Sequence, residues 1–201
     1  MNKSNLIARK LDTFIKWCFR VMLGATILCV PILIVTVIIL KIDPNYTNEI
    51  MNTLTFGNLE FFVKEGVIPS TNFAITYILT MGGILLFCAI TSCVCFKIIR
   101  NIFKPIIAGE PFHTTIFLNL KKLGWISIIF GLVTGVFSVV ESLVLYYGYD
   151  LGTILVNENI TRVVPQFTFE LDFILISAVI FLLSYIFKYG AELQQQVDET
   201  L

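Results

Sequence analysis

The chain has few of the residues on which soluble chemistry depends. Asp, Glu, Lys and Arg together make up only 14% of its 201 residues, about half the share usual in a soluble domain. Fourteen basic residues balance fourteen acidic ones, and nothing in their placement resembles the basic face of a nucleic-acid-binding protein, so no direct nucleic-acid partner is expected. The single histidine, His113, rules out H-E-x-x-H and leaves no plausible zinc site. No G-x-S-x-G, P-loop or dinucleotide fingerprint is present either. No catalytic, cofactor-binding or metal-binding residues are expected, and no enzyme. The five cysteines, Cys18, Cys29, Cys88, Cys93 and Cys95, are odd in number and lack C-x-x-C spacing. All lie in or beside apolar runs and read as small apolar residues rather than disulfide partners.

What the chain has instead is length without charge. Val21–Leu40 and Gly66–Phe96 hold no charged residue, and Leu123–Tyr149 holds only Glu141. A helix needs about 20 apolar residues to cross a bilayer, which these runs supply. Phe173–Phe187 is shorter and must borrow from its flanks. The expected spans are 17–41, 72–99, 121–148 and 171–190, with external loops 42–71 and 149–170, a cytoplasmic connection 100–120 and a cytoplasmic tail 190–201. The first run is too long for a cleaved signal peptide and shows no small-x-small site. Pro31 in mid-span is tolerable where neighbouring helices satisfy the freed carbonyl.

Lys and Arg concentrate on the cytoplasmic side of membrane proteins. Lys3, Arg9, Lys10, Lys16 and Arg20 precede the first span, Lys97, Arg100, Lys104, Lys121 and Lys122 flank the middle connection, and Lys188 follows the fourth. Only Lys41, Lys64 and Arg162 fall on the other side. Both termini are therefore expected in the cytoplasm.

Several features offer chemistry or contacts. Glu141 lies about 9 Å inside the outer end of the third span, at 1.5 Å per residue, and Asp172 opens the fourth from the same side. An intramembrane carboxylate is a functional candidate by default. The sharper reading is a proton- or cation-binding pair with one raised pKa; the plainer one is a snorkelling Glu141 and an Asp172 that caps its helix. Gly131 and Gly135 form a G-x-x-x-G unit on a small-residue face with Gly124, Ser127, Ser138 and Ser142. Such faces let helices approach closely. Packing against the first or second span, with Gly82 and Gly83 as partners, is expected ahead of a homodimer seam. In the external loops, Leu54–Phe61 reads as two short strands around Gly57-Asn58. Val163–Leu171 shows the period-two alternation of a strand. Together they suggest a small β-containing cap.

The polar end of the chain continues the fourth helix. Ile186, Gly190, Leu193, Val197 and Leu201 recur on one helical stripe, which needs something to lie against. The nearest candidate is the middle connection, whose Ile98, Ile99, Ile102, Phe103 and Ile106 form an apolar side. Pro105 and the Gly109-Glu110-Pro111 turn are expected to end that helix.

KYGAELQQQVDETL (Lys188–Leu201) and IFKPIIAGEPFHTTIFLNLKKLG (Ile102–Gly124), with Gly109, Pro111, Phe112, Leu120 and Gly124 at marked positions, resemble the bacterial four-helix membrane proteins catalogued as domain of unknown function 2975. The resemblance runs over essentially the whole chain. Two residues depart from the pattern: His113 stands where a Ser or Thr helix cap is expected, and Ile116 where a polar residue is usual. The resemblance implies a bacterial plasma-membrane protein without assigned enzymatic activity. The frequent gene neighbour of such proteins, a small helix-turn-helix regulator, suggests control of a transcription factor. On that expectation Gly109, Pro111, Phe112, Gly190, Glu192, Leu193, Asp198 and Leu201 form a cytoplasmic docking motif.

The expected fold class is thus an all-α integral membrane protein of four transmembrane helices with a small extracellular cap. Its partners are the lipid bilayer and a small cytoplasmic DNA-binding regulator. The rival classes are a small transporter or channel subunit, and an immunity-type protein against a membrane-active peptide. The thin polar content of the midplane counts against transport.

Overall fold

The computed structural model describes residues 3–43, 45–47, 53–56, 59–62, 70–154 and 171–200. Helix α1 spans Lys3–Ile42, and strands β1 (Thr53–Phe56) and β2 (Leu59–Phe62) follow. Helices α2 (Thr71–Ala108) and α3 (Thr114–Gly148), a single turn α4 (Leu151–Ile154) and α5 (Asp172–Thr200) complete the order. The strands pair antiparallel, Thr53 opposite Phe62 and Phe56 opposite Leu59, in the segment where two short strands around Gly57-Asn58 were expected. The strand expected over Val163–Leu171 lies outside the described residues except for Leu171, which is not helical; α5 begins one residue later.

α1, α2, α3 and α5 are each long and apolar enough to cross a membrane, which makes this a multi-pass membrane protein. Large apolar side chains stay exposed along them, Ile27 at 63% and Leu175 at 70%. A soluble protein does not tolerate such faces, whereas acyl chains cover them. In that medium each polar group needs an internal partner. The hydroxyls of Thr26, Thr36, Thr80, Thr134 and Ser177 therefore donate to carbonyls four residues back in their own helices, at 2.6–2.9 Å.

The helices outrun the expected spans. α2 continues through Pro105 to Ala108, so Pro105 does not end it. Proline removes one N–H and its ring crowds the carbonyl four residues earlier, yet the helix carries it three residues before its end. α1 likewise passes Pro31 without a break. α5, at 29 residues, is about 43 Å long at 1.5 Å per residue, which resolves the shortness of its apolar stretch.

Two compact units divide the chain: Met1–Thr26, Phe87–Thr134 and Glu170–Leu201 form the first, Ile27–Leu86 and Gly135–Phe169 the second. In the second, Ser70 caps α2, its Oγ accepting from the Phe73 amide at 3.4 Å. Ala74, Tyr149 and Leu151 form a buried cluster packed by Phe73, Tyr77, Leu145 and Tyr146, with the Phe73 and Tyr149 rings edge to face at 5.8 Å. A Cβ at Gly82 would meet Leu33 of α1, and one at Gly83 would meet nothing within 4 Å. Asp150 adopts φ 48° and accepts the Thr153 hydroxyl at 2.7 Å, which starts α4.

Candidate functional site

The first unit contains the segment that the sequence marked for docking. α2 ends in a Schellman cap. The Gly109 amide donates to Ile106 O at 3.2 Å and the Glu110 amide to Pro105 O at 3.0 Å, the paired bonds that define the motif. Gly109 has φ +92°, a conformation that other residues adopt only with strain. Pro111, two residues beyond, blocks any continuation of the helix.

α3 starts just past this turn on an unusual cap. The Thr115 amide donates to His113 Nδ1 at 3.2 Å, and the Thr115 hydroxyl lies 2.9 Å from the same nitrogen. An amide can only donate, so Nδ1 accepts and the ring hydrogen sits on Nε2, 3.8 Å from Glu110 Oε2. Histidine thus fills the role expected of Ser or Thr. Ile116, three residues on, is fully buried, which accounts for an apolar residue at that position.

From the turn outward, α3 and α5 run antiparallel through a series of wedges. The Phe112 ring occupies the notch left by Gly190, where a Cβ would come within 2.5 Å of it, and lies 6.1 Å from the Phe187 ring. Ser184 Oγ donates across to Phe117 O at 2.8 Å. Phe181 fills the space at Gly124, where a Cβ would meet it at 2.9 Å, and packs edge to face on Trp125 at 5.8 Å. Phe173 covers Gly131 so closely that any Cβ would overlap its ring. As the contact advances along α3 it retreats along α5. Glycine on one helix and phenylalanine on the other let the backbones approach, the small-residue mechanism of helix association in lipid. The neighbour of Gly131 is therefore α5 rather than the first or second span expected. Gly135 belongs to the second unit and is half-buried.

The remaining marked residues divide in the same way. Beyond Gly190, α5 continues as an exposed polar helix. Glu192 pairs with Lys188 at 3.4 Å, and Gln195 Nε2 donates to Glu199 at 2.8 Å; Leu193 is 45% exposed and Asp198 is exposed. Leu201 lies outside the described residues. Asp172 is the first residue of α5, exposed, where a carboxylate favours the helix N-terminus. Glu141, in the second unit, is half-buried within electrostatic reach of Tyr77. Among the described residues no cluster of three His, Cys, Asp or Glu side chains could hold a metal ion.

Sequence reasoning missed Asp12. Its carboxylate, 15% exposed, joins α1 to α2 through Arg100 Nε at 3.5 Å and pairs with Lys16 one turn on. An acid among the basic residues before the first span was the available signal. The phenylalanine wedges of α5 were missed too, because Phe173 and Phe181 looked like ordinary span residues.

No protein-family model matches the chain, and no curated protein and no solved structure is significantly similar to it.

Proposed function

We propose that this is a non-enzymatic regulatory protein of the bacterial plasma membrane, with both termini cytoplasmic and its C-terminal helix serving as the docking element for a soluble partner. The observation that carries the reading is the rooted extension. α5 does not stop at the end of its apolar stretch but runs on to Thr200, polar and exposed over residues 192–199, while Phe112 locks its base at Gly190. The basic residues gathered at this end support the cytoplasmic placement. Part of the marked motif is then scaffold, since Gly109 caps α2 and Phe112 and Gly190 pack on each other. Glu192, Leu193 and Asp198 remain as the face offered to a partner. The resemblance to the four-helix family suggests a small helix-turn-helix regulator as that partner. The external hairpin and the Glu141 region would receive the signal.

The test is crosslinking in native membranes of the full chain and of a chain truncated after Gly190. Recovery of a small DNA-binding protein with the full chain alone supports the reading. Equal recovery with both, or no soluble DNA-binding protein with either, overturns it.

A further inference from the structure

Within the first unit, α2, α3 and α5 leave a cleft of about 370 Å³ in their membrane-spanning stretches. Ser92, Phe96 and Ile99 of α2, Ile126 and Phe130 of α3 and Ile180 of α5 line it. Phe87 stacks on Phe130 at 5.9 Å and 10°, which places an aromatic pair at the end farther from the 109–113 turn. Water gains little in an apolar cavity, and the medium around these helices is acyl chain.

Toward the 109–113 turn, basic residues continue the lining stripes of the cleft. Ser92, Phe96, Arg100 and Lys104 follow at intervals of four on α2, and Lys122, Ile126 and Phe130 do so on α3, so the lining stripe of each helix runs into cationic side chains. Arg100 and Lys122 each lie nine residues from the nearer end of the 109–113 turn, about 13 Å along their helices, and so stand at one level. Lys104 and Lys122 are exposed. Arg100 is exposed as well and meets Asp12 through Nε at 3.5 Å.

From this juxtaposition we propose that the cleft binds one anionic phospholipid, an acyl chain between α2, α3 and α5 and the phosphate held by Arg100 and Lys122. Basic side chains at the cytoplasmic end of an interhelical groove suit an anionic head group. The inner-leaflet placement rests on the orientation proposed above, but the binding itself does not.

The experiment is native mass spectrometry of the full chain released from nanodiscs of equal phosphatidylglycerol and phosphatidylcholine, whose two leaflets are alike, so a failure counts against the site and not against the orientation. The wild-type chain should retain phosphatidylglycerol preferentially. Lys122→Gln should lower that preference about fivefold, the effect of one charge near an anionic surface. Ser127→Leu, which fills the cleft from α3, should reduce retention of both lipids while the melting temperature in detergent stays within a few degrees. An unchanged preference in Lys122→Gln, unchanged retention in Ser127→Leu, or a dimer mass in place of bound lipid overturns the proposal.

Discussion

An alanine at position 190 would place its methyl carbon 2.5 Å from Cδ1 and 2.6 Å from Cε1 of Phe112. Carbon atoms attract best at about 3.5–4.0 Å, so the ring would have to retreat by about 1 Å. Retreat pulls it from Phe187, a ring pair worth about 0.5–1.5 kcal/mol, and overpacking of this kind costs about 1–3 kcal/mol. Against that stands the helix preference of alanine over glycine, about 1 kcal/mol in α5's favour. Gly190→Ala should therefore destabilise the protein by about 1 kcal/mol. In a Phe112→Ala background the obstacle is gone and only the helix preference remains, so the same substitution should stabilise by about 1 kcal/mol. The coupling of about 2 kcal/mol lies within the range for residues in contact. Reversible unfolding of the four chains of this cycle in mixed micelles would measure it. A Gly190→Ala effect of the same sign and size in both backgrounds would refute the wedge.

Three further outcomes follow from the same geometry. Gly109→Ala should cost about 1–2 kcal/mol, because an L side chain strains at φ +92°; Gly109→Asn should cost less, and thermal melts of the two variants would show the order. Ser184→Ala removes the cross-helix donor to Phe117 O and should cost about 0.6 kcal/mol, the average for such bonds in membranes, measured by the same unfolding assay. Burial, helped by the nearby Tyr77 phenol, pushes Tyr149 up to about 12. The unfolded chain loses this proton near the ordinary value of 10, so the contribution is complete below pH 10 and fades as the pH rises toward 12; Tyr149→Phe should abolish that fall in a pH series of melts.

The spans were legible because the bilayer imposes one requirement, a long apolar run without charge, and it shows directly in Val21–Leu40 or Leu123–Tyr149. The start of α5 near Leu171 and the helical nature of the tail followed from the same patterns. Helix ends were less legible. The Gly109-Glu110-Pro111 turn was legible as a stop and the helix ends there, but Pro105, expected to share that role, is carried inside the helix. The docking stripe was seen as a face in search of a cover from the middle connection, and at Gly190 that cover is one ring of it, Phe112. Glycine spacing on α3 announced a close approach, but the first or second span was expected to make it, and the side chain on Gly131 is Phe173 of α5. Naming that partner needs the antiparallel register of α5, which no single helix carries. Asp12 and Arg100 lie 88 positions apart, and nothing local in either segment joins them.

The proposed role stands on the tail of α5 reaching the cytoplasm. The most direct measurement is labelling with a membrane-impermeant maleimide in cells, on a chain whose five cysteines are replaced by serine or alanine, with Gln195→Cys and Thr153→Cys tested singly. The account predicts that Thr153→Cys labels in intact cells and Gln195→Cys only after the membrane is opened. Labelling of Gln195→Cys in intact cells would contradict it.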